Sequence, residues 1–424
     1  MNKREFLKQG FLSSFSLPFL IPDLSKTYDL KDVISHESQP KEDYWKEVRM
    51  QFPLKEGPVY FNNGTIGPSP GYVLNKVMDH MHYYGIHAAE IDYKNGSGLA
   101  LLCGYNEYEE IRKKVGKIIN ADFKTISLTQ NATFGMNYVA NGLELKKGDE
   151  IVNTDQEHGG GFGAWKLLAK RRGCVYKQAT MPVPANDPQE IFDAIFKVVT
   201  KKTKVIAIPH MVSVYGVVMP VKEICTEAKK RGIFTVLDGA QTVGQIKVDV
   251  KDIGCNAYYS SLHKWMLAPG GNGILYIDED SISGIWSTIA SYKWDYQDDH
   301  GFRIMQNGTG NAAIRVGLEA ALDFYDTIGE ERWIARVKEL GDHLRSGLAE
   351  IDKATIHSST NPEMCAGITT YSVEGYSGPE LQAILWEREK LQPRSVGTDL
   401  LRHSVHIYNS IEEIDRALGV IKTL

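Results

Sequence analysis

A chain of 424 residues is longer than one ordinary core requires and predicts two domains. At 42% hydrophobic and 24% charged residues, the composition is that of a folded globular protein and excludes a disordered or fibrous one. A net charge of −5 without a basic stripe leaves no footprint for nucleic acid, and five scattered cysteines lacking a C-x-x-C pair argue against a disulfide framework and any zinc site.

Residues 1–25 differ from the rest. Lys3-Arg4-Glu5-Phe6-Leu7-Lys8 precedes an apolar stretch from Gly10 to Ile21 that is too short to span a bilayer stably. The pattern resembles a twin-arginine export signal with Lys3 in place of the first arginine, and it predicts an exported, periplasmic protein. The alternative is a cytoplasmic protein with an amphipathic tail. Residues 26–58 read as a linker and N-terminal segment, polar and irregular between 24 and 45.

From residue 59 to 328, short β-rich runs alternate with helical periodicity. Strands are predicted at Thr125–Thr129, Ile151–Val152, Lys204–Ile208, Phe234–Leu237, Ala257–Tyr259 and Gly273–Ile277. Several are continuously apolar, as strands covered on both faces must be. Between them lie helices such as Val221–Arg231, which Gly232 stops. This order predicts an α/β domain with a mostly parallel sheet flanked by helices. A long helical segment, Ala312 to Ile351, leads into a smaller C-terminal α+β domain over residues 329–424. That domain carries strands near Gly367–Val373 and Val405–Tyr408, a helix over Pro379–Glu389 and a last helix over Ile411–Ile421.

In an open parallel sheet, ligands gather where strands end and helices begin. Asn131-Ala132-Thr133 follows one strand and opens a helix, offering backbone N–H groups and a hydroxyl to a phosphate. Glu157-His158 and three glycines follow the next, where an imidazole can lie over an aromatic ring. Asp238 closes a third strand, with Gln241 just beyond. Ser261, His263 and Lys264 share one loop 26 residues after Asp238. An amine for a Schiff base, a carboxylate for a protonated pyridine nitrogen, and polar donors for a ring oxygen and a phosphate are together what pyridoxal phosphate requires. Singly, each residue has an ordinary structural explanation; jointly they are uncommon.

From about Tyr60 to the carboxyl terminus the chain resembles the class V aminotransferase group of fold type I pyridoxal-phosphate enzymes, which holds isopenicillin N epimerases and cysteine desulfurases. The motifs, in order, are Phe61-Asn-Asn-Gly-Thr-Ile-Gly-Pro-Ser-Pro70, Asn131-Ala-Thr-Phe-Gly-Met-Asn137, Glu157-His158, Asp238-Gly-Ala-Gln241, Ser261-Leu-His-Lys264, Gly308-Thr309 and Arg402 to Glu413. The resemblance implies Lys264 as the Schiff-base residue and His158 as the ring-stacking one. It pairs Asp238 with the pyridine nitrogen and Gln241 with the ring hydroxyl, and gives Ala132, Thr133, Ser261 and His263 to the phosphate. Ser213 stands where many relatives carry Asn near the ring oxygen. Arg402 and Asn63 are expected at the substrate. Gly308 and Thr309 are expected to reach the cofactor of a neighbouring subunit, which implies a homodimer.

The same resemblance implies chemistry at the α-carbon of a small-molecule amino-acid substrate. Epimerase or aminotransferase activity is expected first, C–S or other β-lyase activity second. Desulfurases need a nucleophilic thiol shortly before the substrate arginine, and Leu391 to Arg402 contains none. A non-catalytic binding protein of the same fold is the alternative of another class, against which the joint presence of Lys264, Asp238, His158 and Arg402 counts.

Overall fold

The computed structural model describes residues 28–31, 41–90 and 106–424. The expected export signal over residues 1–25, and Cys103, lie outside the described residues. β1 (Val59–Tyr60) precedes a seven-stranded sheet built from β2 (Ile126–Thr129), β3 (Glu150–Thr154), β4 (Val175–Ala179), β5 (Thr203–Pro209), β6 (Phe234–Asp238), β7 (Ala257–Ser261) and β8 (Gly273–Ile277). Its order is β2-β8-β7-β6-β5-β3-β4. Neighbours from β7 to β4 are parallel, and β8 runs antiparallel to both β7 and β2.

Alternation along the strands sends side chains into two separate apolar layers. In β5, Ile206 and Ile208 join one core while Val205 and Ala207 join the other. In β6, Leu237 and Val236 divide in the same way. Helices cover both layers, which is why these strands lack a polar face. The expected mostly parallel sheet flanked by helices is present.

The C-terminal region adds β9 (Ala354–Ile356), β10 (Ile368–Val373), β11 (Leu391–Gln392), β12 (Arg394–Val396) and β13 (Leu400–Ser404). Four of these form an antiparallel sheet in the order β12-β13-β10-β9. β11 pairs in parallel with β1, so Val59 and Phe61 pack into the core under this smaller sheet.

The structure departs from the sequence-based expectations at four places. Residues 41–45, expected to be irregular, begin a helix over Lys41–Met50, because Tyr44, Trp45 and Val48 bury one face and Glu42 pairs with Arg336 at 2.8 Å. β4 is an additional edge strand; its largely polar run Val-Tyr-Lys-Gln-Ala carries little apolar signal. The long helical segment is two helices, Ala312–Ile328 and Glu330–Ala349, broken at Gly329, whose φ of +88° is left-handed. The strand expected at Val405–Tyr408 lies earlier, at Leu400–Ser404. The apolar residues Val405, Ile407 and Tyr408 are buried beyond the strand's end, Val405 N–H donating to Gly367 O at 3.0 Å.

Three histidines are packed into this interior. His403 stacks on Tyr371 with centroids 5.6 Å apart, His406 stacks on Trp265, and His210 meets the Tyr258 hydroxyl at 2.9 Å. Burial pushes His403 and His406 down to about 3 and His210 to about 4. The folded state therefore holds them neutral, and their contribution is complete only above the unfolded value of 6.5. Stability is expected to fall as pH drops below 6.5 toward 4. His403→Phe should reduce the loss between pH 7 and pH 5 by on the order of 2 kcal/mol, read from denaturant midpoints at the two pH values.

Candidate active site

Five loops at the carboxyl ends of β2, β3, β5, β6 and β7 meet around a cavity of about 240 Å³. Asn131, Ala132 and Thr133 come from the first, His158, Gly160 and Gly161 from the second, and Met211 and Ser213 from the third. Asp238, Ala240 and Gln241 follow β6, and Ser261, His263 and Lys264 end β7 or follow it. Gly64, Thr65 and Arg394 complete the lining from outside the main sheet.

Lys264 is held by its own main chain. Leu262 and Trp265 on either side are 1% and 0% exposed and pin the loop to the core. Gly67 N–H donates to His263 O at 2.8 Å, and the Asn63 amide donates to Lys264 O at 3.3 Å. A side chain at Gly67 would place its Cβ 2.2 Å from Lys264 O, so only glycine allows this approach. With the backbone fixed, the amine projects toward the cavity. Burial pushes Lys264 down to about 8, opposed by the Asp238 charge and reinforced by Arg402 and Arg394. A lysine in that range supplies a useful fraction of neutral amine at physiological pH.

Asp238 sits at the end of β6 and accepts from Ala240 N–H at 2.8 Å. Burial raises its carboxyl, with the Ala240 N–H and the Lys264 charge opposing, and a facing cation would favour the charged form. Glu157 lies nearby, its Oε1 accepting from Thr154 N–H at 3.1 Å and from the Thr154 hydroxyl at 3.0 Å. Burial, with the Asp238 charge adding to it, lifts Glu157 to about 8, so Glu157 is mostly protonated at neutral pH. His158 Nδ1 accepts from Gly160 N–H at 3.1 Å, so the ring's orientation is set within its own loop. Burial lowers His158, with Lys264, Arg394 and Arg402 contributing, and keeps the imidazole neutral.

At the other end of the cavity, the helix Ala132–Gly142 begins. Asn131 caps it by accepting from Phe134 N–H, and Ala132 N–H donates to Ser261 Oγ at 2.9 Å. Thr133 stands exposed in the first turn, the Ser261 hydroxyl proton remains available, and His263 Nδ1 is buried without a partner. These groups suit an anion at a helix start. Gln241 donates to Gly64 O at 2.9 Å and to Ser213 Oγ at 3.0 Å while accepting from Trp265 Nε1 at 2.8 Å. Its amide hydrogens are thus committed to the frame, and the Ser213 hydroxyl is the donor left over beside it.

Arg402, on β13, bonds from the smaller sheet to Ser213 and Thr65 of the lining without itself lining the cavity. It is 2% exposed and donates to Ser213 O at 2.7 Å, Asn62 Oδ1 at 3.1 Å and Thr65 Oγ1 at 3.2 Å, with Nε unpartnered. Burial lowers it only to about 10, so it stays charged. Asn63 does not reach the cavity. It is fully buried, and its amide joins the Lys264 main chain to the Tyr408 hydroxyl. Gly308 and Thr309 are also absent from the lining; they border two other hollows, Gly308 with Gln130 and Arg315, Thr309 with His80 and Tyr84. Sequence reasoning missed Gly64, Thr65 and Arg394. The first two fall inside the Phe61–Pro70 motif, while Arg394 carried no signal in its own segment.

A lysine amine, a carboxylate across from it, a neutral imidazole and an anion site at a helix start share one cavity. These are the donors and acceptors that pyridoxal phosphate needs, and the unpartnered His263 Nδ1 fits an added phosphate. Fold and site define a fold type I pyridoxal-phosphate enzyme. The chain belongs to the class V aminotransferase family, whose profile matches residues 59–417. It is 29% identical to an isopenicillin N epimerase of Streptomyces clavuligerus, over 90% of this chain and 98% of the relative. A probable cysteine desulfurase of Pyrococcus abyssi is also 29% identical, over 89% and 97% respectively. Among solved structures, the apo cysteine desulfurase of Thermococcus onnurineus NA1 aligns with a TM-score of 0.77 at 27% identity, covering 89% of this chain and 97% of that one. No helix among the described residues is long and apolar enough to cross a membrane, and no group of metal-ligating side chains occurs among them.

Proposed function

We propose that the protein acts on the α-carbon of a free amino acid as an epimerase or aminotransferase. Lys264 would bond the cofactor aldehyde, Asp238 would hold the ring nitrogen protonated and His158 would cover the ring. Thr133, Ser261, His263 and Ala132 would surround the phosphate, and Ser213, framed by Gln241, would donate to the ring oxygen. Arg402 would grip the substrate carboxylate through its planar fork. Bound pyridoxal phosphate supplies the sink for the electron pair left when a bond at Cα breaks. The chain's part is to orient that bond and move the proton. The Lys264 amine, lowered to about 8, is suited to take the proton from Cα and to return it. Gly308 and Thr309, set outward from this cavity, would complete the site of a second copy in a homodimer.

One observation carries the choice of reaction. Among the described residues no cysteine lines the cavity, and Cys174, Cys225, Cys255 and Cys365 are all buried. A thiol nucleophile for desulfuration is thus missing from the described lining, whereas proton removal from Cα by Lys264 needs no thiol; inversion would also need a second acid on the opposite face. β-Lyase chemistry is the second reading, favoured by similarity to a probable cysteine desulfurase over 97% of its length. The holo-protein should be incubated with a panel of amino acids, followed by chiral, keto-acid and sulfide analysis. Inverted amino acid or keto acid supports the first reading. Sulfide or pyruvate from cysteine or cystine, with no inversion, would replace it by the second.

A further inference from the structure

Resting on the reading of Asp238 as the carboxylate that faces the ring nitrogen, we propose that Glu157 is a positioning residue of the cofactor site. It carries a proton, donates it in a hydrogen bond to Asn153, and so keeps a second negative charge away from Asp238. A Cβ built on Gly161 would lie 3.3 Å from Asp238 Oδ2 and 3.6 Å from Glu157 Oε2, so the two carboxyls border one gap. Among the described residues no cation pairs with Glu157, and the Asp238 charge opposes its ionisation. A buried carboxylate without a cation is costly, whereas a buried carboxylic acid needs only an acceptor for its proton.

Asn153, at the end of β3, supplies that acceptor. Its side chain meets Glu157 and is fully buried. The amide nitrogen donates to Ala207 O at 2.6 Å, and Oδ1 is left without a donor. An ionised Glu157 can only accept and would leave that oxygen unsatisfied; the acid satisfies it. Glu157 Oε1 already accepts two bonds from Thr154, so Oε2 is the oxygen left for the proton. The other titratable groups facing Glu157 are Asp238 after β6, Tyr259 on β7, Tyr176 on β4 and its neighbour His158. Burial pushes both tyrosines up and His158 down, away from the value of about 8 at Glu157.

The test is an infrared titration of the protein, with and without cofactor, beside turnover of the holo-protein. A carboxylic-acid C=O band should be present at pH 7, fade through about pH 8 and be missing from Glu157→Gln at every pH. Asn153→Ala removes the acceptor and should shift the fading to lower pH. Ionised Glu157 loses its bond to Asn153 and repels Asp238 across the gap. The ratio of wild-type to Glu157→Gln turnover should therefore drop by about 5- to 10-fold between pH 7 and pH 9, following the neutral fraction. A band that is missing from the wild type or persists in Glu157→Gln overturns the assignment, as does a turnover ratio that stays level. Fading that is unmoved or shifted upward in Asn153→Ala places the proton elsewhere and overturns the bond to Asn153. These failures leave the cofactor reading standing if borohydride still tags Lys264; a protein that takes no cofactor overturns both.

Discussion

Lys264→Ala is expected to abolish covalent cofactor attachment and lower turnover by at least about 10³-fold, since the variant loses both its anchoring amine and its proton carrier. Borohydride reduction of the wild-type holo-protein should leave a pyridoxyl tag on the peptide containing Lys264, and none on the variant. A tag on another lysine would remove the basis of the proposed function. The lowered amine adds a pH signature. At pH 7 a group at about 8 is about one-tenth neutral, against about one part in three thousand for a lysine at 10.5. Only the neutral amine attacks an aldehyde. Cofactor capture by the apo-protein should therefore rise with pH and level off above about 8, instead of climbing on toward 10.5.

Asp238→Asn is the second large effect. The substitution keeps the shape and the acceptor for Ala240 N–H, so the loop after β6 should fold unchanged. It removes the charge that would keep a ring nitrogen protonated. Turnover is expected to fall by about 10²- to 10³-fold while the Lys264 tag still forms. This separation of chemistry from attachment distinguishes a specific role for Asp238 from general collapse of the site. If turnover stays within about threefold, the pairing of this carboxylate with the cofactor is wrong.

The main-sheet half of the site was legible because its residues follow apolar strands in a fixed order. Asp238 and Lys264 could be placed at strand ends from the runs Phe234–Leu237 and Ala257–Tyr259 alone. Asn63 and Gln241 were harder. Both stand in motifs that point to a ligand, yet Asn63 braces the Lys264 carbonyl and the Gln241 amide is spent on Gly64 and Ser213. Sequence marks such residues as special without telling whether they touch the ligand or hold what does. The smaller sheet was misplaced for a different reason. β13 carries Arg402 and His403 in a buried position, and no apolar pattern announces a strand whose interior residues are charged or aromatic-stacked. Arg394 was invisible because its partner in space is decided only by that strand's register.

The same register has a stereochemical consequence. The proposed carboxylate grip comes from β13 in one sheet and the proton carrier from the end of β7 in the other. The angle at which a substrate turns its Cα–H toward Lys264 is then governed by how the two sheets lean together. Thr65, Ser213 and Asn62 span that seam with hydrogen bonds to Arg402. The fit of that seam therefore decides how squarely the Cα–H bond meets the Lys264 amine.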